Sequence, residues 1–174
     1  MILDLARLFL FPALMAFAAA SDLFTMTISN RVSLLLVAGF FALAGFGGMP
    51  IADIGLHVAA GLTVLVLAFA CFAFGWMGGG DAKVAASVGL WFGFGPLPDY
   101  LLLISLFGGA LTLLILQFRQ WPLPYALNSQ DWLQRLHHKT SGIPYGIALA
   151  LGALVIYPET DWMKAVDLAR FVSQ

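Results

Sequence analysis

Charge is the scarcest feature of this sequence. Lys, Arg, Asp and Glu make up 10% of its 174 residues, against about a quarter in soluble domains. So few charges cannot clothe a water-facing surface, which excludes a soluble globular domain. Eight Lys and Arg stand against nine Asp and Glu, a net −1, with no basic run and no acidic tail. That excludes nucleic-acid binding by phosphate neutralisation. Cys71 is the only cysteine, so neither an intramolecular disulfide nor a multi-cysteine zinc site is available. Internal repeats and low-complexity tracts are missing as well. What is abundant is apolar: 61% of residues are hydrophobic and the mean hydropathy is +0.95. This composition describes an all-α polytopic membrane protein, with residues 1–174 forming a single domain.

A helix needs about 20 mostly apolar residues to cross the hydrocarbon core. The charges punctuate the chain at that spacing and predict six transmembrane helices, near 5–22, 32–48, 55–76, 81–95, 99–118 and 142–158. Residues 119–141 form the sizeable polar loop. Over 160–172, Trp162, Ala165, Val166, Ala169 and Val172 share one helical stripe, which predicts a short C-terminal amphipathic helix on the membrane surface. Arg31, Lys83, Arg119, Arg135 and Lys139 fall in loops one, three and five, while loops two and four carry only Asp53 and Asp99. Lys and Arg near span ends favour the cytoplasm, so the odd loops are expected there and both termini outside. Ala18-Ala19-Ala20 has the look of a signal-peptide cleavage site, but cleavage there would need the opposite orientation. Asp4 also offsets Arg7 in the preceding segment, so the first helix is read as retained.

This orientation sorts the acids. Asp22 ends the first span and Asp81 opens the fourth, both on the cytoplasmic side; Asp53 and Asp99 lie on the other. Taken singly, Asp22 reads as a loop acid after Ser21, and Asp81 as a helix-start residue facing a favourable dipole. Gly78-Gly79-Gly80 directly before Asp81 changes that balance. A glycine run serves close helix packing, or lets an extended peptide approach the backbone beside a carboxylate. Two carboxyl groups on one side invite aspartic-protease chemistry, in which a pair shares one proton, activates water and polarises the scissile carbonyl. Other catalytic sets are poorly supplied. His57 sits in an apolar run, and His137-His138 are adjacent, so they do not share a helix face. Cys71 reads as packing, while Ser21, Ser29 and Ser141 lack a base and its orienter. A divalent ion wants more oxygen ligands than two Asp provide, so neither metal nor cofactor is expected.

These residues resemble a known family. Gly78-Gly79-Gly80-Asp81 matches the G-x-G-D signature of intramembrane aspartic proteases, and Ala82-Lys83 resembles its prepilin peptidase branch. Asp22 followed by Ile28-Ser29-Asn30-Arg31 resembles that branch's first aspartate motif. Ile143-Pro144-Tyr145-Gly146 resembles the Pro-Tyr-Gly segment of its last helix. The nearest likeness is the short prepilin peptidase of tight-adherence (Flp-type) pilus systems. The resemblance implies removal of the basic leader from Flp-type pilins and pseudopilins at the cytoplasmic face of the bacterial inner membrane. It implies Asp22 and Asp81 as the catalytic pair. Gly78, Gly79, Gly80, Lys83, Asn30, Pro144, Tyr145 and Gly146 would bind substrate or support the site.

Longer relatives carry a cytoplasmic segment with cysteine pairs and methylate the new N-terminus; its absence here argues against methyl transfer. Prepilins and membrane lipid are the implied partners, with the oligomeric state left open. The alternatives are a presenilin-like signal-remnant peptidase, a proton-coupled carrier, or a non-catalytic assembly subunit. A carrier would be expected to show paired repeats and polar groups through its span centres.

Overall fold

The structure, a computed structural model, describes residues 1–123 and 129–166. Among these residues eight α-helices follow in chain order: α1 (Ile2–Thr25), α2 (Asn30–Phe46), α3 (Ile51–Ala73), α4 (Gly79–Phe92), α5 (Leu97–Phe118), α6 (Asp131–His137), α7 (Gly146–Ile156) and α8 (Asp161–Lys164). No strand occurs among the described residues. Helices α1, α3 and α5 are long and apolar enough to cross a membrane; α2 and α7 are apolar but shorter. At most 22% of the most apolar stretch of each long helix is buried. Leu34, Leu62, Phe69, Leu102 and Leu113 stand exposed. Outward apolar faces of this extent suit lipid and would be a liability in water. The chain is an integral membrane protein by these helices.

Helix ends follow local chemistry. α1 stops at Met26 in the left-handed conformation, with Thr25 and Ser21 hydroxyls turned onto Ser21 and Thr27 carbonyls. Ser29 then caps α2 by accepting from the Arg31 N–H. Pro50 precedes α3, and Pro96 and Pro98 open α5, where a missing N–H costs nothing. Gly93, at φ 64°, ends α4 against the His57 ring, a conformation glycine reaches without strain.

Glycines also set helix spacing. A Cβ on Gly61 of α3 would stand 3.0 Å from Leu90 Cβ, and one on Gly89 of α4 would stand 2.8 Å from Val64 Cγ2. These reciprocal bare positions let α3 and α4 approach closely. α4 packs on α2, α3 and α7, and its far end is anchored by Trp91. The Trp91 indole donates to the Leu36 carbonyl at 2.8 Å, and Trp162 donates to the Trp91 carbonyl at 2.7 Å. Phe11, Phe40, Phe92 and Tyr157 complete this aromatic core.

Two expectations need correction. The span predicted at 142–158 is an α-helix only from Gly146 to Ile156, finished by a 3₁₀ turn over Tyr157–Glu159. Pro144 disfavours helix in the residue before it, and Pro158 interrupts the far end. The predicted surface helix over 160–172 is helical only at Asp161–Lys164 in its described part. Trp162 is buried on Trp91, so its apolar side faces the protein core and not a membrane surface. Residues 167–172 lie outside the described residues.

Candidate active site

The C-terminal end of α1 and the N-terminal ends of α4 and α7 meet at one end of the bundle. Asp22, buried one turn before the end of α1, accepts a 2.7 Å hydrogen bond at Oδ2 from the Gly146 N–H. Gly146 is the first residue of α7, so Asp22 sits on the positive end of that helix dipole. Asp81 is the third residue of α4, and its carboxylate folds back beside Gly78 at the start of its own helix. The two carboxylates are within electrostatic reach of each other. Each acid thus meets a helix N-terminus, worth about 0.3–1 kcal/mol and up to ~2 when partly buried. A hydrogen bond to a charged group adds ~1.5–3 kcal/mol. Together these offset much of the several kcal/mol that desolvating one carboxylate costs. They do not cover two charges side by side.

Ile28 wedges the three elements together. A Cβ on Gly146 would stand 2.7 Å from Ile28 Cδ1 and 2.9 Å from Asp22 Oδ2. A Cβ on Gly80 would rest 3.4 Å from Ile28 Cβ. One on Gly78 would stand 3.0 Å from Asp81 Oδ2, so the bare backbone there leaves room for the carboxylate to fold back. Gly79 instead faces the Phe72 ring and belongs to the packing of α3 on α4.

The remaining predicted residues divide. Pro144 is fully buried, and the Tyr145 ring and hydroxyl pack on Gly108 of α5, so both anchor the segment that delivers Gly146. Lys83 and Asn30 meet each other, Nζ to Oδ1 at 2.8 Å. Two residues along a helix turn it by about 200°, so Lys83 leaves α4 on the side away from Asp81. That pair ties α4 to α2 and stands apart from the acids. Asp53 and Asp99 are exposed at the opposite end of the bundle, around a recess shared with Arg7, Glu159 and Lys164. Arg7 pairs with Asp4 at 3.7 Å there, and donates to the Ala165 carbonyl.

Sequence reasoning missed one contributor. Arg119, taken as a loop cation, is buried and donates to the carbonyls of Leu136, Ser141 and Gly142. It fixes the run that leads into Pro144 and Gly146. Tyr100, fully buried against Phe92, also went unmarked; its hydroxyl has no hydrogen-bond partner among the described residues. A lone phenol in an apolar span was its only sequence signal. Arg135 of α6 donates to the Phe24 carbonyl at 2.7 Å, docking that short helix on the end of α1. The histidines are engaged with the Leu90 carbonyl, the Trp121 carbonyl and Thr140. Among the described residues no three His, Cys, Asp or Glu side chains group to hold a metal ion.

Fold and site together define a class: an all-helical integral membrane protein with an aspartate pair gathered at one end of its bundle. The chain belongs to the type IV leader peptidase family, which matches residues 9–113. Two curated relatives from Aeromonas salmonicida, one of them from strain A449, are each a prepilin leader peptidase/N-methyltransferase. Each is 31% identical over 140 residues, covering 77% of this chain and 42% of theirs. The chain thus spans less than half the length of these relatives. No solved structure matches it.

Proposed function

We propose that this protein is an aspartic endopeptidase that removes the leader from prepilins, with Asp22 and Asp81 as the catalytic pair. The observation that carries the proposal is the convergence of these two carboxylates, Asp22 held by the Gly146 N–H and Asp81 folded back on the start of its own helix. Family membership supports the substrate class. Like charges this close leave one proton on the pair. The ionised member takes a proton from water as that water adds to the scissile carbonyl. The protonated member hydrogen-bonds the carbonyl oxygen. The tetrahedral adduct then loses its amine, which leaves with a proton from the pair, and the shared proton is restored. Gly146 and Gly78 orient the acids and touch no substrate in this scheme.

In the proposed setting six helical passes place the pair at the cytoplasmic face of the inner membrane, with both termini outside. α2, α4 and α7 are the short passes. The Arg7 and Lys164 ends share one side of the bundle, opposite the acids, which supports that arrangement. A basic leader held at an anionic inner leaflet gains about 1 kcal/mol per Lys or Arg, bringing the junction with the apolar helix to this level. The motif likeness points to Flp-type prepilins. The proposal covers hydrolysis and not methyl transfer. The test is incubation of the purified protein in lipid with synthetic prepilins, followed by mass spectrometry. A single cut at the leader junction supports it. Intact substrate with folded wild-type protein overturns it.

A further inference from the structure

The face of α4 turned away from Asp81 borders a groove of about 510 Å³, bounded by α2 and α3. All three helices present residues at helical spacing to it, and its lining is almost wholly apolar apart from one end. That end carries Lys83, Asn30 and Ser33; the other closes on Phe41, Val58 and Leu90. From Asn30 to Phe41 a helix rises about 16 Å, close to half of a ~30 Å hydrocarbon core. The groove is therefore one leaflet deep.

Lys83 is the single cation of the lining, and no carboxylate shares the groove among the described residues. Its ammonium is met by a neutral amide oxygen of Asn30, which leaves the charge unbalanced. An apolar slot one leaflet long, with a cation at its wet end, is complementary to one kind of molecule. We propose that the groove is a binding site for one anionic phospholipid, its phosphate on Lys83 and an acyl chain laid between α2 and α3. A substrate's transmembrane helix fits less well. It needs the full bilayer depth, and a chain leaving Asp81 would have to pass around α4 to reach this face. The site is independent of the hydrolytic reading, since it uses neither aspartate.

The test is native mass spectrometry of the full-length protein released from vesicles of equal phosphatidylglycerol and phosphatidylcholine. The expected result is a one-to-one phosphatidylglycerol adduct that outlasts any phosphatidylcholine adduct. Lys83→Gln should lower its occupancy roughly fivefold, the share of one Lys at an anionic surface. Lys139→Gln, a cation outside the groove, should not. Val37→Trp, which fills the apolar part, should remove the adduct; should that variant misfold, Lys83→Gln decides alone because Lys83 is exposed. Inorganic phosphate at millimolar concentration should leave the adduct in place, which separates a lipid site from a phosphate site. Equal retention of both lipids, or an unchanged adduct in Lys83→Gln, would overturn the proposal. So would a photo-crosslinker at position 37 that captures a synthetic prepilin and no lipid.

Discussion

Gly146→Ala probes the placement of Asp22 without touching its chemistry. The new methyl would stand 2.9 Å from Asp22 Oδ2, 3.0 Å from Asp22 Cβ and 2.7 Å from Ile28 Cδ1. These are closer than such atoms pack, so Asp22 or the start of α7 must shift. Either shift lengthens the 2.7 Å hydrogen bond from the Gly146 N–H. A bond to a charged group contributes about 1.5–3 kcal/mol, and each ~1.4 kcal/mol is tenfold in rate. The expected loss in kcat/KM is therefore roughly 10- to 150-fold, most of it in kcat. Overpacking of this kind also costs about 1–3 kcal/mol of stability, so rates are compared per folded protein at a temperature well below the unfolding transition measured for the variant. Gly142→Ala, with nothing within 4 Å of its added Cβ, is the matched control and should cleave normally. The assay is initial-rate cleavage of a synthetic prepilin by chromatography. A Gly146→Ala protein within twofold of wild type would refute the idea that this N–H holds Asp22 in its working position.

Asp22→Asn and Asp81→Asn should each abolish cleavage, while Asp53→Asn and Asp99→Asn at the opposite end stay active; turnover in either of the first two sinks the dyad. Rate against pH should be bell-shaped, falling at low pH when both acids are protonated and at high pH when both are ionised. A monotonic profile, or loss of activity with a chelator, would point to other chemistry. Gly80→Val should impair cleavage more than Gly45→Val, because the first crowds Ile28, which also abuts Gly146, and the second meets nothing within 4 Å. Equal rates for the two variants would remove Ile28 from the account. Single cysteines at Phe24 and Thr27, in a Cys71→Ser protein, should react with an impermeant thiol reagent only from the cytoplasm. Labelling from outside would reverse the proposed orientation.

Helix positions were legible because charge and proline interrupt long apolar runs, and α1, α3 and α5 fall where those runs predict. Boundaries were less so. The last span is shortened by Pro144, whose effect reaches backwards along the chain, and hydropathy does not register that. Trp162 sits in an amphipathic pattern, yet a pattern does not say whether its apolar stripe meets lipid or protein; here Trp91 covers it. At the site, Asp81 stood out because three glycines stand directly before it, and Asp22 because it is an acid at a helix end on the same side of so apolar a chain. Gly146 was found only through a motif likeness, and nothing in its own residue type indicates that its N–H holds an acid 124 positions earlier. Lys83 was likewise read from the motif likeness, and a motif does not show that two residues along a helix point to different faces.

The position of both acids at helix ends also answers a physical problem. A carboxylate at the centre of a bilayer must be paired or must bring water with it. The proposed hydrolysis needs water in any case, together with a substrate in extended form. Helix ends meet both needs, because their free N–H groups bind an anion without introducing a countercharge. A lysine beside the pair would neutralise it and keep both acids ionised, which defeats proton sharing. Lys83, only two residues from Asp81, is turned to the opposite face and held by Asn30. Arg119 and Arg135 are likewise engaged with carbonyl oxygens. Lys83, Arg119 and Arg135 are thus spent on amide and backbone oxygens, and among the described residues no cation forms an ion pair with Asp22 or Asp81.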